Sequence, residues 1–200
     1  MVEDRAVPGP ALAAVQLTDA PWTALGFSSG PVGAVALEFR SARVGWTLRG
    51  RSAGEEVVDG VPTSWTSEGP SEAGVHPNGA VALDHVVVAT PDFARTVRAL
   101  EAVGMLLRRE RSAGTRRQGF FRHGEAIVEV VGPAEPAGDG PASLWGLTVT
   151  VADLDATATL LGPLLGQPRD AVQPGRRIAP VRPDAGLGVA LAFMSPNVRR

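Results

Sequence analysis

Two stretches of this chain repeat one another. Asp92 is matched by Asp153, and the apolar stripe Phe93, Val97 and Leu100 by Leu154, Ala158 and Leu161, at a constant spacing of 61 residues. The doublet Arg116-Arg117 with Arg122 recurs as Arg176-Arg177 with Arg182 at a spacing of 60, and the closing VEVVGP recurs as LAFMSP at a spacing of 63. Unrelated segments do not keep a helix stripe, an arginine pattern and a terminal proline in one order, so the spacing argues for an internal duplication. Neither copy can bury both faces of a sheet alone, and the two are expected to pair.

Each copy reads as β-α-β-β-β. In the first, residues 81–133, the run VALDHVVVA alternates as an interior strand with Leu83, His85 and Val87 on one face and Asp84, Val86 and Val88 on the other. Thr90 then stands where a helix N-cap is expected and Pro91 at the first helical position, with Gly104 ending the helix. Three strands follow, broken at Ala113-Gly114 and His123-Gly124. The pattern restarts after a Pro/Gly-rich connector and fills residues 144–196. The expected fold is therefore α+β, two paired β-α-β-β-β units forming a cupped, mixed but mostly antiparallel sheet.

What precedes them is less regular. Residues 1–10 read as a tail. Residues 11–66 read as an irregular α/β extension, and the echo between GWTLRG there and LWGLTVT in the second unit suggests a degenerate half-module. Residues 67–80, SEGPSEAGVHPNGA, carry His76 but no hydrophobic period and read as a linker.

Composition narrows the function. The net charge is −2, and the 19 basic residues, all arginine, are mixed with 21 acidic ones, leaving no footprint for nucleic acid. The absence of cysteine excludes disulfides, thiolate metal sites and cysteine nucleophiles. No secretory signal and no membrane-length apolar run is visible, so a cytoplasmic protein with no membrane partner is expected. Glycine-rich stretches such as GPVGAV precede no helix, and no GxSxG occurs, so neither a phosphate loop nor a serine nucleophile is expected.

The duplicated architecture, with LDHVVVATPD, IVEVVGP and LWGLTVTVADLDA, resembles the vicinal oxygen chelate superfamily, which includes glyoxalase I, bleomycin-resistance proteins and ring-cleaving dioxygenases. That scaffold hosts many chemistries. In its metal-using members each unit supplies one ligand from its first strand and one from its last. The resemblance assigns these places to His85 and Glu129 in the first unit, but to Gly146 and Ala192 in the second. Two protein ligands make a weak site, so the resemblance implies either no cofactor or one divalent transition metal completed by substrate or water.

The leading expectation is a glyoxalase-like protein that binds a small molecule without a complete metal centre. The rivals are a lyase, isomerase or dioxygenase-type enzyme using His85 and Glu129, and a protein-interaction scaffold with a vestigial cup. An enzyme requires a polar cleft in which those two residues approach within hydrogen-bond reach, a binder an apolar, aromatic-lined cup with Trp145 or a phenylalanine exposed in it, and a scaffold a cup filled by the chain itself. Gln118, Phe121, Trp145, Arg117 and Arg177 are the candidate ligand-binding residues, arginine because its fork suits anions. Against them stand plainer roles: core for Phe120 or Phe121, a module junction for Trp145, solvated turns for the arginines and for His123. Homodimerisation is common in the superfamily and is expected to be open to this chain.

Overall fold

The structure, a computed structural model, describes residues 9–197 apart from 29, 40, 71 and 123. His123 and most of the N-terminal tail thus lie outside the described residues. The strands are β1 (Ala11–Gln16), β2 (Ala36–Glu38), β3 (Gly45–Arg49), β4 (Gly54–Val58), β5 (Val61–Thr66), β6 (Ala80–Ala89), β7 (Leu107–Ala113), β8 (Arg116–Arg122), β9 (Ile127–Pro133), β10 (Ser143–Val151), β11 (Arg169–Asp170), β12 (Arg177–Pro180) and β13 (Ala190–Met194). Helix α1 (Phe93–Ala102) follows β6, and α2 (Leu154–Leu161) follows β10.

The helices form where the stripes predict. Phe93, Val97 and Leu100 are buried under α1, and Leu154 and Leu161 under α2. The N-cap of α1 is Asp92, not Thr90: its carboxylate accepts from the Arg95 amide at 2.9 Å, and Thr90 instead closes the preceding turn by accepting from the Asp92 amide at 3.0 Å. A carboxylate also gains from the positive end of the helix, which a hydroxyl does not.

The two units form one eight-stranded sheet of order β11-β12-β13-β10-β6-β9-β8-β7. In each, the first strand runs parallel to the last, β6 with β9 and β10 with β13, while β6 and β10 join the halves antiparallel. Val86 pairs with Leu147, and around that pair His85 faces Thr148 while Val87 faces Gly146. The seam therefore has a local two-fold symmetry that carries His85 onto Gly146. Two register shifts obey it. Asp84 is the extra residue on β6 and Trp145 the extra residue on β10, again 61 apart.

The first bulge corrects the simple alternation. An extra residue returns two successive side chains to one side of the strand. Leu83 is 2% exposed and belongs to the core, whereas Asp84 and His85 stand together at the opposite face.

Strands β1–β5 form a second sheet of order β2-β1-β3-β5-β4. Its pairings run parallel, antiparallel, parallel, antiparallel, as do those of β9-β6-β10-β13-β12. GWTLR is β3 and LWGLT lies in β10, so the sequence echo falls on strands holding the same place in the two patterns. The two sheets share one hydrophobic core, with Phe27 stacked on Phe193 at 5.9 Å between ring centres. His76, in the stretch read as a linker, is buried. Its Nδ1 accepts from the Ser28 amide at 3.3 Å and its Nε2 donates to the Pro31 carbonyl at 3.2 Å.

Candidate active site

Cup-facing residues of β6, β8 and β9 meet residues of β7 and of the β11–β13 side around a cavity of about 960 Å³. His85, Gln118, Phe120, Ile127 and Glu129 line it on one side, and Arg169, Asp170, Ile178 and Met194 on the other. Among the described residues, none before His85 lines it. The N-terminal sheet, with Glu38, Glu55, Glu56 and Asp59, thus supplies no wall. The cup is open, contrary to what a scaffold requires.

His85 sits at the floor, 15% exposed. Its Nδ1 lies 2.8 Å from the Asp84 carboxylate. A carboxylate only accepts, so Nδ1 carries the hydrogen and the lone pair of the neutral ring is on Nε2, facing the cavity. There the Thr148 hydroxyl donates to Nε2 at 3.1 Å, and Glu129 Oε2 stands 3.9 Å away, beyond hydrogen-bond reach. Gln118 Nε2 donates to the other Glu129 oxygen at 2.8 Å, fixing the carboxylate.

Asp84 is held in turn from the other half of the sheet. Arg176, itself buried, donates to its Oδ1 at 2.5 Å, to the Thr150 hydroxyl at 3.0 Å and to the Ser195 carbonyl at 2.9 Å. Burial acts to raise the Asp84 pKa, but the hydrogen bonds and charges of His85 and Arg176 outweigh it and bring the value down to about 2. Asp84 is therefore a carboxylate across the neutral range.

The walls are cationic. Arg108, Arg109, Arg111, Arg122 and Arg169 all line the cavity, and among the described residues none of them is ion-paired. These five exposed arginines, against the two carboxylates Glu129 and Asp170 in the same lining, give the concave site an excess of positive charge that attracts anions.

Several sequence-derived candidates lie elsewhere. Phe121 is fully buried in the core, and its neighbour Phe120 faces the cup, because β8 alternates with Gln118, Phe120 and Arg122 on one side. Arg117 is on the helix side, doubly bonded to Glu110 at 2.9 and 3.1 Å and stacked 4.3 Å over Phe93. Arg177 is likewise tied to Asp155 at 2.8 Å. Trp145 borders a second cavity. Asp84, Thr148, Arg108, Arg109, Arg111 and Arg169 were not among the candidates, whereas Arg122 belongs to the repeated arginine pattern. A lone carboxylate inside an apolar strand, which demands a buried partner, was the available signal for Asp84.

A complete four-ligand metal centre does not fit the described residues. His85 Nε2 and Glu129 Oε2 are the two donors facing the cavity floor, and among the described residues no group of three or more His, Cys, Asp and Glu side chains could hold an ion. The matching place in the second unit is sterically closed. A Cβ on Gly146 would lie 2.8 Å from the Ala190 carbonyl oxygen and 2.9 Å from the Ala190 Cβ. Replacing Gly146 by alanine is accordingly expected to cost about 1–3 kcal/mol, as for overpacking elsewhere. The urea midpoint measures it, and an unchanged midpoint would mean that β10 and β13 are less tightly apposed than described.

Among the described residues no helix is long and apolar enough to cross a membrane. The sequence matches no protein-family model and no curated protein. Solved structures do resemble it. A methylmalonyl-CoA epimerase from Mycobacterium tuberculosis aligns over 62% of this chain and 93% of its own, at 20% identity and a TM-score of 0.49. A variant of the Streptomyces coelicolor epimerase, in complex with 2-nitronate-propionyl-CoA, covers 60% and 96% at 18% identity and a TM-score of 0.47. A hypothetical protein from Bacillus halodurans covers 59% and 96% at 14% identity and a TM-score of 0.46.

Proposed function

We propose that this protein is a metal-independent proton-transfer enzyme, of isomerase or lyase type, acting on a small anionic carbonyl compound. The observation that carries the reading is the Asp84-oriented imidazole of His85, with Nε2 turned into a cavity walled by arginines that have no ion pair among the described residues. An apolar binder would need neither the oriented base nor the charge.

The chemistry follows from the geometry. Arginine side chains bind the substrate anion and place an acidic carbon-bound hydrogen at His85 Nε2, from which the Thr148 hydroxyl rotates away. The imidazole takes the proton, the electron pair of the broken C–H bond moves onto the carbonyl oxygen, and the cationic wall stabilises the resulting enolate. Asp84 stabilises the imidazolium without itself being protonated. Return of the proton to the opposite face of that carbon, or to another carbon of the delocalised anion, completes an isomerisation; departure of a β-substituent with its own bonding pair, as the enolate electrons form the new carbon–carbon double bond, instead completes an elimination. Glu129, held by Gln118 across a 3.9 Å gap from Nε2, borders the space where the reacting atom sits.

The test is hydrogen exchange in deuterated water, followed by NMR over a panel of acyl thioesters, 2-oxo acids and malonate half-esters. Exchange of a carbon-bound hydrogen, undiminished by chelator in protein carrying far less than one metal per chain, is the expected result. Exchange that disappears with chelator and returns with one divalent metal would overturn the metal-independent reading. No exchange with any anionic carbonyl compound, together with tight binding of one of them, would turn the assignment to a binding protein.

A further inference from the structure

A second cavity of about 640 Å³ opens on the same face of the sheet, farther along β6 and β9. Val87, Ala89 and Val131 floor it, Pro133 and Pro91 flank it, and Arg116 and Trp145 border it. Its volume lies within the range of small-molecule sites. Trp145 is 57% exposed, whereas Trp22, Trp46 and Trp65 are all buried. Arg116 is exposed and, among the described residues, has no ion-pair partner.

The two-fold symmetry of the seam explains why the cavity exists. Trp145 holds the place of Asp84, the other bulged residue, and Arg116 holds the place of Arg176, the first opening β8 and the second standing immediately before β12. On one side the arginine folds down on the aspartate and the ion pair is buried. On the other, an indole stands where the carboxylate would be. Arg116 is left without its counter-charge, and the space stays open.

We propose that this cavity binds a planar aromatic anion, whose carboxylate supplies to Arg116 the charge that Asp84 supplies to Arg176, and whose ring stacks on Trp145. Indole favours flat partners through its π face, and a guanidinium favours a carboxylate through paired N–H donors. Val87 and Val131 follow His85 and Glu129 by two residues on the same strand faces, so the site abuts the proton-transfer site without sharing its charged groups. The inference does not rest on the reaction proposed above.

Naphthoate and its uncharged isostere naphthamide are suitable probes. With the other tryptophans buried, the acrylamide-quenchable emission is that of Trp145. Naphthoate is expected to protect it and to bind about tenfold more tightly than naphthamide, the usual scale of a hydrogen bond to a charged group. Arg116→Ala should erase that difference. Trp145→Ala should abolish binding measured by calorimetry, and both variants alter exposed side chains that a folded chain tolerates. His85→Ala should bind naphthoate as the parent does. Equal binding of the two probes to the parent, unchanged binding in Trp145→Ala, or loss of naphthoate binding in Arg122→Ala with none in Arg116→Ala would each overturn the proposal.

Discussion

Replacing His85 by alanine is expected to lower kcat for hydrogen exchange by roughly 10²–10⁴-fold, the contribution of a positioned general base. KM should change little, because the anion is held by arginines that the substitution leaves in place. Asp84→Asn should lower kcat by a smaller factor through a different route. An asparagine can present either its oxygen or its amide nitrogen to Nδ1, so the ring is no longer confined to the form with its lone pair at Nε2. Nitrogen NMR of the imidazole distinguishes the two cases: one tautomer in the parent, a mixture in Asp84→Asn. An alanine at position 85 that leaves exchange intact, or a tautomer indifferent to Asp84, would remove His85 as the base.

The second large effect concerns stability. Arg176 and Asp84 are only 8% and 14% exposed at their side chains, so Arg176→Ala strands a carboxylate in a poorly solvated place. Breaking a buried pair in this way costs about 3 kcal/mol, and the double variant Arg176→Ala, Asp84→Asn should recover much of it. The same pair sets an acid limit. Asp84 titrates at about 2 when folded, against an ordinary value of 3.8. A depressed folded value means that the stabilisation is complete above the unfolded value and disappears as pH falls through the folded one. About 2 kcal/mol is therefore lost between pH ~4 and ~2. In Arg176→Ala the acid loss of thermal midpoint should be smaller and end at higher pH, because its onset is set by the unfolded value and its end by the folded one. Equal midpoints for parent and Arg176→Ala at neutral pH would show that the pair contributes nothing.

Much of the architecture was legible because the signals that specify it are local and repeated. The stripes of Phe93, Val97 and Leu100 and of Leu154, Ala158 and Leu161 are periodic, and they mark the two helices that lie across one sheet. The residues of the floor were legible only in part. His85 and Glu129 stand at places marked by resemblance, and they lie 3.9 Å apart, outside the hydrogen-bond reach expected of an enzyme. Asp84 was misplaced because alternation assumes an unbroken ladder, and nothing in LDHV announces the extra residue. Phe121 is the opposite case. The period of Gln118, Phe120 and Arg122 already placed it on the far side of β8, and consistent use of that period would have chosen Phe120. The arginine wall was hidden for a third reason. Arg108, Arg109 and Arg111 are distant in sequence from Arg169, and only the curvature of the sheet brings them to one cavity.

The dependence of His85 on Arg176 also bears on how the protein comes into being. The base and its aspartate lie early in the chain, on one strand, and are synthesised together. Their counter-charge comes 92 residues after Asp84, on the far edge of a unit that must first fold and dock along β6 and β10. A nascent chain that has completed only its first unit thus presents an imidazole with no fixed partner arrangement behind it. Under the proposed reaction, competence for proton transfer would arrive late in synthesis, when the second unit closes on the first.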